Sequence, residues 1–201
     1  MSSAMPPLKP QASLGEVMKA AQAAWEIDHV ALPMPDLFVL AVRGYYRDSM
    51  GVPRSNDYGI FDDAFFIVTP FGYSTWNGNS DPSRIGWNGH AGKFMARLKP
   101  GVWTFRQLKH RMSRPDGYMA FGQGLDVVTV ERIQSDGTVA MTETGKFGIN
   151  LHRGGINGTS SEGCLTVPAE QWPKFRNVLD DALARTGAKT FPLILINGPI
   201  A

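Results

Sequence analysis

The chain has 201 residues, 43% of them hydrophobic and 19% charged, a balance that excludes a disordered segment and suffices for one domain with a real core. A formal charge of +2 is too mild to imply nucleic acid, and a single cysteine excludes an internal disulfide, so the fold must stand on its core. The longest apolar run, ALPMPDLFVLAV, is broken by proline and aspartate, which argues against membrane insertion; no basic segment followed by an apolar run marks a signal peptide.

Residues 1–12 hold three prolines and read as a tail or strap. Ser13 then opens a helix, with Glu16 three positions on completing a capping box, and Leu14, Val17, Met18, Ala21 and Trp25 recur at helical spacing. Residues 1–36 are thus expected to form a tail and helix packed on the core, and residues 37–201 a single domain. From residue 37 the texture changes to short β-branched and aromatic runs: LFVLAV, AFFIVT, VWTF, LDVVTVERI and FGINLH. SDG at 135–137 reads as a hairpin turn, and residues 76–92, WNGNSDPSRIGWNGHAG, as a long loop. A second helix is expected over about residues 169–187, with Trp172, Phe175, Leu179, Ala182 and Leu183 as its buried stripe, Pro173 in its first turn and Gly187 as a left-handed cap. FPLILING closes the chain as a strand. The order helix, many strands, helix, strand predicts a β-rich α+β fold.

Chemistry concentrates in residues 147–168. If FGINLH is a strand, Phe147, Ile149 and Leu151 point one way, while Gly148, Asn150 and His152 face a cleft open to solvent. The stretch RGGINGTSSEG can loop back and set Cys164 beside His152, twelve positions earlier in the chain. A thiol becomes a nucleophile when an adjacent imidazole raises its thiolate fraction, and the imidazole can then protonate a leaving amine. Amides at Gly163 and Cys164 would hold the oxyanion of a tetrahedral intermediate. This pattern predicts acyl transfer through a thioester, with an inert, buried sulfur as the competing reading. The four histidines, His29, His90, His110 and His152, are too scattered for a zinc motif, so neither metal nor organic cofactor is expected.

A histidine on a strand, a glycine-containing loop and then Ser161-x-Gly163-Cys164 with an aliphatic residue after it resembles the L,D-transpeptidase catalytic domain. The resemblance covers about residues 60–180 and is specific around 147–175, where FGINLHRGGINGTSSEGCLTVPAEQWPKF looks like a divergent phage and prophage branch. It implies a β-rich, sandwich-like catalytic domain with a helix packed on it, Cys164 as nucleophile, His152 as base, Ser161 as the signature hydroxyl and Gly163 as the oxyanion turn. It also implies a peptidoglycan stem peptide as partner, attacked at the diaminopimelate carbonyl. Glu162 departs from a position that is commonly histidine, and Thr166 from one that is often arginine or asparagine; Arg153 is expected to supply the replacement charge.

Asn150, Ser160, Thr166 and Trp76 complete the expected substrate-binding set with Arg153. His110 and Tyr118, in RQLKHRMSRPDGY, read as a surface histidine and its neighbour in a basic loop, the alternative being that His110 reaches the cleft with Tyr118 stacked beside it. Asp62 and Asp63 are adjacent and make a poor carboxylate pair for glycoside hydrolysis. The expected protein is a phage-type, peptidoglycan-cleaving cysteine peptidase, made in the cytoplasm and acting on the wall in the periplasm after release. A cross-linking transpeptidase and a non-catalytic wall-binding or virion protein are its rivals. Oligomeric state is not encoded in any of these features.

Overall fold

Ser13 caps helix α1, Leu14–Asp28, in the computed structural model, which describes residues 5–29, 32–85, 94–156 and 158–200. The Ser13 N–H donates to Glu16 Oε2 at 2.7 Å and the Glu16 N–H donates to Ser13 Oγ at 3.3 Å, the reciprocal pair that the sequence calls for. Val17, Ala21 and Trp25 are buried against Phe38, Leu40, Val42 and Phe66, whereas Leu14 and Met18 sit at the exposed rim.

The strands in chain order are β1 Phe38–Arg43, β2 Asp63–Thr69, β3 Gly72–Gly78, β4 Met95–Leu98, β5 Gly101–His110, β6 Tyr118–Gly122, β7 Val128–Ile133, β8 Val139–Gly145, β9 Asn150–Arg153, β10 Leu165–Val167 and β11 Phe191–Asn197; helix α2, Trp172–Thr186, precedes the last. The fold is α+β and mostly strand. Eight strands form one sheet in the order β10-β9-β6-β5-β11-β1-β2-β3, and β4-β7-β8 form a second. Just past β3, Asn79 exchanges both backbone hydrogen bonds with Thr166 of β10, at 2.9 and 2.8 Å, so the two ends of the large sheet meet and nearly close it.

One face of the large sheet packs on α2 and the small sheet, burying Val39, Ala41, Phe65, Phe121, Leu165 and Phe175; the other packs on α1. Every residue of β1 is therefore buried, which is why LFVLAV is continuously apolar instead of alternating. The α2 stripe is the expected one, and Gly187 ends the helix at φ +71°. Among the described residues no helix is long and apolar enough to cross a membrane.

Two expectations need correction, and one stated alternative is decided. Residues 72–78 are a strand because Trp76 and its neighbours pair with β2, so the loop starts only after Gly78; residues 86–93, with His90, lie outside the described residues. The supposed basic loop around His110 is a hairpin, with His110 paired to Tyr118. Residues 5–12 form a strap: Tyr46 Oη donates to the Leu8 carbonyl and Tyr73 Oη to that of Ala12, at 2.9 and 2.6 Å.

A polar network is sealed between the sheets. Asp63 accepts the Gly44 N–H at 2.6 Å and both the N–H and hydroxyl of Ser80, while Arg43 pairs with Asp81 and Arg97 bridges Asp81 and Glu131. Asp62 Oδ2 accepts the Asp57 N–H, but Oδ1 has no partner. Burial first, then neighbouring carboxylates, push both Asp62 and Asp63 above the usual carboxylate range. With three donors aimed at it, Asp63 is the ionised member; Asp62, with a bare oxygen, carries the proton.

Candidate functional site

The site begins with the parallel register of β9 and β10, in which Leu165 pairs with Leu151 and Thr166 with His152. One residue earlier, Cys164 stands beside Asn150, whose backbone N–H points at Sγ from 3.4 Å. Paired residues share a face of the sheet, so Cys164 lies diagonally across from His152 on the adjoining strand. The glycine-rich loop thus returns as expected.

The turn before the thiol is locked by Ser161. Its hydroxyl donates to the Cys164 carbonyl at 2.6 Å and accepts the Gly163 N–H at 3.0 Å; its own N–H donates to Ser83 Oγ at 2.6 Å. Gly163 adopts φ +132°, and a Cβ added there would run into the Ala96 carbonyl, so any side chain would strike β4. Because the Gly163 N–H is already donated to Ser161, of the two amides expected to hold an oxyanion only that of Cys164 could serve.

Cys164 is half-buried and forms part of the wall of a cavity of about 370 Å³ shared with Met95, Arg132, Phe147, Glu162 and Gly163. The cation of this cavity is Arg132 from β7, not Arg153. Arg132 Nε donates to Glu143 at 2.7 Å, Nη1 donates to the Phe94 carbonyl at 3.0 Å, and the guanidinium lies over the Phe147 ring at 5.5 Å. Arg153 is exposed and lies over the Tyr118 ring at 5.2 Å, away from the cavity wall.

His152 departs from the sequence expectation: it is 5% exposed, not open to a cleft. The His110 ring stacks on it with centroids 4.1 Å apart and an interplanar angle of 16°, and Tyr118 Oη lies 3.4 Å from its Nδ1. Nδ1 is 2.8 Å from the Arg153 carbonyl, which can only accept, so Nδ1 holds the hydrogen and Nε2 keeps a free lone pair. Burial, then His110, depress His152 to about 4. Burial pushes the Cys164 thiol up to about 11, against the opposing Asn150 N–H. No hydrogen bond joins the two among the described residues. The resting pair is a neutral thiol and a neutral imidazole, where the sequence led us to expect a thiolate promoted by its neighbour.

The remaining expected contacts divide. Asn150 is in the site, its amide nitrogen 3.0 Å from His110 Nδ1. Ser160 is exposed with φ +54°. Trp76 is core: 4% exposed, it packs edge-on to Phe175, donates its indole N–H to Ser74 Oγ and lies under the Lys9 ammonium. Thr166 is fully buried, and its Oγ1 has no partner. Neither side chain lines the cavity beside Cys164. His110, expected in the site only as the lesser alternative, and Arg132, absent from the expected set, belong to it; their sequence signals were a polar residue in a presumed loop and a charge inside a strand. Among the described residues no group of three or more His, Cys, Asp or Glu side chains is disposed to hold a metal ion. No protein-family model matches the chain, and no curated protein matches it.

Proposed function

We propose that the protein is a peptidoglycan-cleaving cysteine peptidase with an L,D-transpeptidase-type catalytic domain, acting on the stem peptide at the diaminopimelate carbonyl. The observation that carries this reading is the half-buried Cys164 sulfur on a cavity wall, one strand from an imidazole whose Nδ1–H is fixed on a carbonyl and whose Nε2 is free.

In this mechanism His152 Nε2 takes the thiol proton as Sγ attacks the carbonyl carbon. The Asn150 N–H steadies the developing thiolate and the Cys164 amide the oxyanion. As the C–N bond breaks, His152 returns the proton to the leaving amine, and an acyl thioester remains on Cys164. Water then attacks the thioester, giving its proton to His152, and the free acid and thiol are restored. Because the resting pair is neutral, proton transfer accompanies attack instead of preceding it. Substrate must also draw sulfur and Nε2 together. The protein would be made in the cytoplasm and meet the wall in the periplasm after release.

One observation favours a second reading: the high thiol pKa and the covered imidazole suit an inert sulfur in a non-catalytic wall-binding or virion protein. Incubation with tetrapeptide muropeptides, products read by mass, separates these. Trimmed or split stems, lost in Cys164→Ala, are expected. Cross-linked dimers would assign a transpeptidase, and unchanged substrate with sacculus pelleting a binding protein.

A further inference from the structure

We propose that His110 is a positioning residue for His152: its ring is the wall that holds the imidazole towards Cys164, and the base works only while that wall is uncharged. This rests on the thiol–imidazole chemistry proposed for Cys164 and His152.

His110 ends β5 and His152 lies on β9, with β6 between them. His110 pairs with Tyr118, so the two rings meet on a diagonal, over the small residues at the next two same-face positions of β6, Ala120 and Gly122. Gly122 pairs with Asn150, and a side chain there would collide with the Asn150 amide; two residues along the same register, past Phe121 and Leu151, Ala120 falls beside His152. The rings can therefore stack at 4.1 Å across a strand. Asn150 connects both halves of the site, its backbone N–H at Sγ and its side-chain amide 3.0 Å from His110 Nδ1. An amide N–H donated to Nδ1 fixes the neutral His110 tautomer with its hydrogen on Nε2.

When His152 accepts the thiol proton it becomes a cation against this ring. A neutral imidazole presents a π face to that charge, whereas a protonated one repels it at near-contact distance. Among the described residues the groups that act on the rings are Arg111 and Asp116 from the turn after β5, bonded to each other at 2.7 Å, Tyr118 from β6 and Arg153 from β9; Cys164 acts on Tyr118, and Glu162 on Cys164. Asp116 is held ionised by its bond to Arg111, so protonation of the imidazoles themselves is what changes the charge of the stack in mild acid. His110, the less buried ring, takes the first proton and thereby keeps His152 from completing the transfer.

The test tracks the histidine ring C2–H resonances by NMR titration of the full chain in the wild type and His110→Phe, with muropeptide cleavage measured across the same pH range. His110→Phe keeps a flat, uncharged wall. It should cleave faster than His110→Ala at pH 7, and its His152 titration should move up by about half a pH unit or more. The acid limb of cleavage should change from two-proton to one-proton steepness. His110→Ala, lacking the wall, should lose about tenfold or more in kcat with KM little changed. If His152 titrates at the same pH in the wild type and His110→Phe, or if His110→Ala turns over at the wild-type rate, the proposal is wrong. If no variant cleaves any muropeptide yet the His152 titration still moves, the coupling stands and the substrate reading is what fails.

Discussion

At Cys164 the issue is where the proton sits. A thiol pushed up to about 11 is almost wholly protonated at neutral pH, so iodoacetamide labelling of the free protein should accelerate about tenfold per pH unit through the mildly alkaline range. A rate that is already at a plateau by pH 7 would contradict the neutral resting pair. His152→Gln should cost about 100-fold or more in cleavage while leaving the labelling profile alkaline, because the base acts only during attack. Asp62 tests the buried network. Its folded pKa lies above its unfolded one, so the folded state binds the extra proton, and stability falls as pH rises from the ordinary carboxylate range through the raised value. His152 works oppositely: depressed to about 4, it favours the fold as pH rises from about 4 through the ordinary imidazole range. Asp62→Asn replaces the proton-bearing carboxyl with a neutral amide. It should raise stability at pH 8 by on the order of 1–3 kcal/mol and change little at pH 4, as measured by urea unfolding at both.

Elements differ in how far each could be read from the chain. Both helices were legible because their signals are local: the Ser13–Glu16 box, the Trp172-to-Leu183 stripe and Gly187 all act within a few residues. Leu179→Ala should therefore cost about 2–5 kcal/mol in thermal or denaturant unfolding, the penalty of a cavity in a packed core. Strands β3, β4, β6 and β10 were not legible. β3 carries glycine, serine and asparagine, and β10 is three residues inside a glycine-rich stretch, so the strands beside them decide them. The same holds for the site. Cys164, His152 and Asn150 were found because a loop links them, but His110 reaches His152 only through the β5–β6 hairpin and the small side chains of β6. Trp76 was misplaced because a tryptophan among asparagines and glycines looks like a loop residue until β2 is seen beside it. The turn that carries the thiol is fitted to β4, so Gly163→Ala should displace it from the Ala96 carbonyl and lower cleavage more than it lowers the melting temperature.

On the scale of the whole molecule, α1 covers one face of the large sheet and α2 with the small sheet covers the other, so the central strands are solvent-free on both sides. The small sheet contributes Arg132 to the cavity, which makes the thiol's surroundings a joint product of two sheets. The strap at residues 5–12 ties the outside of β3 to α2, with Lys9 over Trp76 and Met5 against Gln171. The rung between Asn79 and Thr166 has a mechanical meaning as well. It fastens the ring with two amides, where β1 is fastened along its full length on either side. Thermal breathing should start at that clasp, so the Asn79 and Thr166 amides should exchange deuterium faster than those of Val39 to Val42. Each opening would loosen the strand that begins one residue after the sulfur, making a momentary gate in the wall of the molecule beside the proposed nucleophile.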